Sequence, residues 1–127
     1  MIAETRATLK FDHLTLPVRD LKQSRSWYVD MLGLTVEFEV PDRQAVAVQD
    51  SDGFTIFLQQ AAAAVVPNDL ALYFQVADVD ATFGAWSERG LVFAHAPAKT
   101  YWGYGAELRD PDGYLIRLWD EQTMKTK

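Results

Sequence analysis

The sequence repeats itself, and that repeat limits the fold more than any other feature. Asp50-Ser51-Asp52-Gly53-Phe54-Thr55-Ile56-Phe57-Leu58 returns as Asp110-Pro111-Asp112-Gly113-Tyr114-Leu115-Ile116-Arg117-Leu118, at an offset of 60 (110 − 50). Leu32-Gly33-Leu34 is echoed by Arg89-Gly90-Leu91, and His13–Val18 followed by Asp20-Leu21 is echoed by Ala71–Val76 followed by Asp78-Val79. Three landmarks in the same order at nearly one spacing describe a duplicated unit, and self-similarity of this kind outranks local propensity as a guide to architecture.

Each copy reads as strand, helix and three strands. Residues 10–18 and 70–76 alternate apolar and mixed positions, the period of a half-buried strand. Asp20 and Asp78 stand where an N-cap accepts the first free amides of a helix. Leu21, Ser24, Tyr28, Met31 and Leu32 fall at helical spacing, as do Val79, Thr82, Phe83 and Trp86. Gly33 and Gly90 end those helices in the left-handed conformation that glycine adopts without strain. The predicted strands are Thr35–Val40, Gln44–Gln49 and Phe54–Gln59 in the first copy, and Val92–His95, Gly105–Arg109 and Tyr114–Trp119 in the second. One domain is therefore expected, with module 1 at about 9–60, a linker at about 61–69 and module 2 at about 70–120. Within the linker, Ala61–Ala64 is also compatible with a continued strand or a turn of helix.

Composition closes off several function classes. The chain has 127 residues, 49% of them hydrophobic and 24% charged, an ordinary globular balance. It contains no cysteine, which removes disulfides, thiolate zinc sites and a cysteine nucleophile. No apolar run approaches a membrane span, and Met1–Arg6 lacks the pattern of a signal peptide, so a cytoplasmic location and no membrane partner are expected. A net charge of −6 would repel phosphates and argues against nucleic acid. The Asp-X-Asp-Gly turns do not make an EF-hand, because a loop begun at Asp110 has Leu115 where glycine is required. No nucleophile elbow, P-loop or dinucleotide fingerprint is present.

Strand alternation separates two faces. Leu14, Leu16, Val18, Phe54, Ile56, Leu58, Leu72, Phe74, Val76, Tyr114, Ile116 and Leu118 form an apolar side expected to pack under the helices. The opposite side carries His13, Thr15, Thr55, Phe57, Gln59, Ala71, Tyr73, Gln75, Leu115, Arg117 and Trp119. It is neither a core nor a fully charged solvated face. An ordinary exposed sheet face and a ligand-binding concavity both fit this mixture. The aromatic segment Thr100-Tyr101-Trp102-Gly103-Tyr104-Gly105 reads as a loop leading into a strand. Its rings either cover a sheet edge or interface, or wall a flat ligand. An inward Arg117 needs a partner, either a carboxylate such as Glu107 or Glu37, or an anionic or carbonyl group on a ligand. Glu37, Glu39 and Glu107 are the carboxylates available for acid or base work, although strand carboxylates are usually just solvated.

The paired βαβββ units, the opening Asp12–Leu21, the Trp27-Tyr28 to Leu32-Gly33-Leu34 helix end and the closing Arg109–Tyr114 together resemble the vicinal oxygen chelate superfamily. Its members include glyoxalase I, bleomycin-resistance proteins, fosfomycin-resistance enzymes and extradiol dioxygenases. The resemblance runs from about Leu9 to Asp120 and implies an α+β fold of two tandem βαβββ modules forming a cup-shaped mixed sheet, often completed by a second subunit. Laying the glyoxalase I ligand pattern over the chain puts the four metal positions on His13, Phe57, Ala71 and Arg117. Only the first has a suitable donor. A non-standard set of His13, Gln59 and Glu107 is the remaining route to a metal, with His95 an ordinary loop or strand-end histidine. The segment from Trp102 to Pro111 looks like the corresponding region of bleomycin-resistance proteins, which sequester a drug without transforming it.

The expected function is thus metal-free binding of a small organic molecule, such as an aromatic or antibiotic-like one, in the cup of a homodimer with no cofactor. Phe57, Tyr73, Trp102, Tyr104 and Trp119 would be its walls and His13, Gln59, Gln75 and Arg117 its polar anchors. The alternatives are a metal-dependent lyase, isomerase or dioxygenase with a non-standard ligand set, and metal-independent catalysis.

Overall fold

A computed structural model describes residues 8–66 and 68–125; Met1–Arg6 and the linker residue Pro67 lie outside them. Module 1 consists of β1 (His13–Val18), α1 (Leu21–Ser26), β2 (Thr35–Val40), β3 (Ala45–Gln49) and β4 (Thr55–Gln60). Module 2 repeats the order with β5 (Ala71–Gln75), α2 (Val79–Glu88), β6 (Phe93–Thr100), β7 (Gly103–Arg109) and β8 (Leu115–Trp119), followed by a short α3 (Glu121–Lys125). The strands form two four-stranded sheets, ordered β1-β4-β3-β2 and β5-β8-β7-β6. In each, the first and last strands of the module run parallel and the rest are antiparallel. Residues 61–66 belong to neither strand nor helix.

The helix boundaries follow the side chains expected to set them. Asp20 accepts from the Gln23 amide and Asp78 from the Ala81 amide, satisfying donors that a helix start leaves free. Gly33 and Gly90 take φ of 87° and 98°, where a β-carbon would be strained. The first helix is not uniform. After Ser26 it widens into a π-helical segment, Trp27–Met31, with the Leu32 amide donating back to the Trp27 carbonyl. This segment carries Tyr28 into the interior, fully buried.

One core serves both modules. Leu16, Val18, Val46, Val48, Ile56 and Leu58 from the first sheet join Leu72, Leu108, Ile116 and Leu118 from the second, with Tyr28, Leu34, Leu91 and Tyr114. Phe54 departs from the expected apolar side: it precedes β4, is 39% exposed, and stacks on Phe11 at 5.4 Å. The region expected as Val92–His95 continues to Thr100, so His95 lies inside β6 rather than in a loop or at a strand end. The segment 100–105 is accordingly the tip of the β6–β7 hairpin and not a loop leading into a strand. Among the described residues no helix is long and apolar enough to cross a membrane.

The modules are locked by the turn between β7 and β8. Asp110 and Asp112 are 5% and 2% exposed. Asp110 Oδ1 accepts from the Asp112 and Tyr114 amides (both 2.9 Å), and its Oδ2 accepts the Tyr28 hydroxyl at 2.5 Å. Asp112 accepts from the Arg19 amide (2.8 Å), Arg19 Nε (3.1 Å) and the Ser24 hydroxyl (3.2 Å). Tyr114 closes the junction by donating to the Pro17 carbonyl at 2.8 Å. Burial raises the Asp110 pKa, opposed by the hydrogen bonds it accepts from Tyr28 and the two amides. Burial, reinforced by Asp110, also drives the Tyr28 hydroxyl far above its ordinary range, so it remains a donor. Tyr28→Phe leaves a buried carboxylate oxygen without its partner. Urea unfolding should show a loss of about 1.5–3 kcal/mol, the range for hydrogen bonds to charged groups.

Candidate functional site

The sequence-predicted residues fall on two separate faces. On the first sheet, His13, Phe57 and Gln59 occupy the side opposite the core, because strand pairing places Thr15 beside Phe57 and Pro17 beside Gln59. The His13 ring lies 4.3 Å from Phe57, and Phe38, to which the sequence reading gave no role, meets Phe57 edge-on at 5.5 Å. His13 Nδ1 donates to Asp12 at 2.7 Å. Gln59 turns its amide to the loop before β3, donating to the Arg43 carbonyl at 2.6 Å.

On the second sheet, Tyr73, Arg117 and Trp102 form a tight group. Arg117 is 9% exposed, and its Nε donates to Glu107 at 2.8 Å. Its Nη1 donates to the hydroxyls of Tyr73 (2.6 Å) and Tyr101 (3.2 Å). The guanidinium carbon stands 5.4 Å from the centroid of Tyr73, 5.5 Å from Tyr101 and 5.4 Å from Trp102, each within cation–π range. Burial works against the arginine charge, but the Glu107, Tyr73 and Tyr101 bonds outweigh it and hold the group more firmly protonated than a free arginine. Trp102 reaches this place over Gly105, where any β-carbon would collide with the indole and the Leu118 carbonyl. Strand alternation puts Trp119 and Gln75 on the same face, paired across β8 and β5.

Tyr104 does not belong with them. It alternates with Gly105 and Glu107 along β7, points to the helix side, and donates to Asp80 of α2 at 2.7 Å. The carboxylates are engaged structurally: Glu107 holds Arg117, Glu37 accepts from Thr55, and Glu39 pairs with Arg25. His95 bonds its neighbour's carbonyl at Ala96. Tyr101 is the main omission of the sequence reading. The residue is 89% exposed, and only the hairpin geometry shows that its hydroxyl meets Arg117.

The two faces make no direct contact with each other. Among the described residues no hydrogen bond, ion pair or ring contact joins the His13–Phe57 cluster to the Arg117 cluster. Cavities of about 620, 210 and 300 Å³ touch Gln59, Gln75 and Tyr73 respectively, one each.

The residues at the four pattern positions do not fit a chelated divalent ion. Phe57 and Ala71 have no donor atom, and Arg117 is a cation already paired with Glu107. The trio of His13, Gln59 and Glu107 does not converge either. His13 and Gln59 are four positions apart along paired parallel strands, a rise of about 13 Å. Glu107 lies in the other sheet. Among the described residues no three His, Cys, Asp or Glu side chains gather closely enough for a metal.

Arg117→Met should strand Glu107 beside the aromatic rings and cost about 2–4 kcal/mol of stability, somewhat below the full penalty for breaking a buried pair. Adding Glu107→Gln should restore more than half of that loss in the same denaturation experiment.

A family model described as "Glyoxalase/Bleomycin resistance protein/Dioxygenase superfamily" matches residues 10–118. Among solved structures, the chain is similar to TnmS3, an antibiotic binding protein from Streptomyces sp. CB03234, with 26% identity and a TM-score of 0.76, covering 91% of this chain and 98% of that one. A superfamily member from Sphaerobacter thermophilus DSM 20745 shares the fold at 22% identity and a TM-score of 0.73, covering 89% and 98%. A protein of unknown function from Agrobacterium tumefaciens str. C58 matches at 25% identity and a TM-score of 0.71, covering 91% and 97%. No curated protein matches the sequence.

Proposed function

We infer the function from one premise: the chain belongs to the Glyoxalase/Bleomycin resistance protein/Dioxygenase superfamily. Within that family we read it as a cytoplasmic protein that binds a small organic molecule without a metal and without transforming it. The observation that carries this reading is the group around Arg117. Three aromatic rings on this sheet face offer stacking area to a flat ligand, and Arg117 Nη2, the guanidinium nitrogen that Glu107, Tyr73 and Tyr101 do not engage, offers a donor to its carbonyl or anionic group. Offset stacking contributes about 0.5–1.5 kcal/mol per ring beyond area burial and needs no particular functional group. The donor-poor metal positions and the similarity to an antibiotic binding protein both favour sequestration over chelate chemistry.

A homodimer is part of the proposal. One chain leaves the His13–Phe57–Phe38 face and the Tyr73–Trp102–Arg117 face unjoined, so a second copy laying one face over the other would enclose the ligand between walls of both kinds. Phe38 and Tyr73, 45% and 48% exposed, are the rings such a contact would cover.

A thermal-shift screen over aromatic drugs, short acids and sugars should give a stabilising compound whose shift is lost in Trp102→Ala. No shift from any compound, or a shift unaffected by Trp102→Ala, would count against this site. Elemental analysis of protein purified without chelator tests the rival enzymatic reading. Stoichiometric zinc, nickel, manganese or iron that disappears in His13→Ala would overturn metal-free binding.

A further inference from the structure

The geometry points to a second ligand site, for a small phenol, in the groove between the modules at Asp50 and Trp86. The chain's own duplication identifies it. The locked junction pairs α1 with the 110–114 turn, and the repeat assigns its counterpart: Tyr28 corresponds to Trp86, Ser24 to Thr82, Arg19 to Ala77, Asp110 to Asp50, Asp112 to Asp52 and Tyr114 to Phe54.

The counterpart is built to the same plan but left open. Asp50 Oδ1 accepts from the Asp52 and Phe54 amides at 2.9 and 2.8 Å, as Asp110 Oδ1 does from Asp112 and Tyr114. In the locked junction the other oxygen of Asp110 receives the Tyr28 hydroxyl. Asp50 Oδ2 receives no donor from the described residues, because Trp86 packs on Phe93 and beneath Arg89 instead of reaching across. Thr82 returns its hydroxyl to the Asp78 carbonyl, Ala77 has no polar side chain, and Phe54 stacks on Phe11. The space that Tyr28 and Tyr114 fill on one side is a cavity on the other.

That cavity is about 210 Å³, with Leu32, Leu34, Phe74, Val76 and Trp86 as apolar walls and Asp50 at its edge. A second cavity of about 300 Å³ shares Asp50 and Phe74 and runs along β5. A void of roughly 150 Å³ lined by apolar side chains already holds benzene, so a single ring fits the first cavity. Its polar lining is Asp50, Ser51 and Gln75, and Asp50 keeps one carboxylate oxygen that accepts from none of the described residues. A phenol meets that acceptor with its one donor. A carboxylate ligand would be repelled. The occupant with the matching shape and donor count is a phenol, the same group that Tyr28 presents to Asp110.

The probe is p-cresol, titrated into the full-length ¹⁵N-labelled protein and followed by amide and indole resonances, with toluene as the ring lacking a donor. Saturable shifts are expected at Ser51, Gln75 and the Trp86 indole. Binding should weaken at least tenfold for toluene, and likewise for p-cresol with Asp50→Asn, whose amide oxygen still accepts from the Asp52 and Phe54 amides. Equal affinity for toluene, full affinity in Asp50→Asn, no saturable shift, or shifts confined to Trp102 and Trp119 would each overturn the assignment. The last outcome would leave the open-face site standing, so the two readings fail separately.

Discussion

The turn at Asp110 and Asp112 holds this structure in its particular form. Two buried carboxylates are an expensive feature unless every oxygen is engaged. Two amides of the turn itself serve Asp110, and the other donors come from the other module: the Tyr28 and Ser24 hydroxyls, and the amide and guanidinium of Arg19. Those donors come from helix α1 and its entry, the acceptors from a hairpin some 80 to 90 residues away. Hydrophobic burial alone would hold the modules together without fixing their angle, because it is non-directional. The hydrogen bonds supply direction. With the modules fixed, the common core forms beneath both sheets, and the faces bearing His13 and Arg117 are left pointing away from it.

Much of this was legible in the sequence, for identifiable reasons. The aspartate caps and glycine helix ends are local signals of one or two residues, the split between apolar and mixed faces is a strand-length period, and the duplication states each of them twice; the structure follows them closely. The failures lie where the two copies differ. Asp50 and Asp110 open matching Asp-X-Asp-Gly turns, and sequence alone makes both simple turn residues. Only the tertiary partner makes one a buried anchor and leaves the other at an open groove. Alternation puts Phe54 in the core, but its ring stacks on Phe11 instead, while Tyr114, at the same place one residue before its strand, stays buried. Proximity in the chain groups Tyr104 with Trp102. Inside a strand that proximity means opposite faces, and a loop assignment for 100–105 concealed it.

The site follows from the same alternation. Arg117 occupies a position where metal-dependent relatives would need a donor, and a buried cation must be compensated within its own sheet. Glu107 compensates the charge, while Tyr73, Tyr101 and Trp102 surround it with polarizable rings. Arg117 thereby gathers three aromatic rings around one guanidinium on the outer face of the second sheet. Gly105 makes room for one of those rings, so the hairpin tip and the arginine act as one unit.

The chain's four tryptophans allow the central claim to be read in one spectrum. Trp102 and Trp119 belong to the open face, while Trp27 and Trp86 sit with the helices on the other side. Indole N–H resonances recorded with a bound organic ligand at saturation should show Trp102 and Trp119 displaced and Trp27 unmoved. Displacement of Trp27 with Trp102 and Trp119 unchanged would contradict the account.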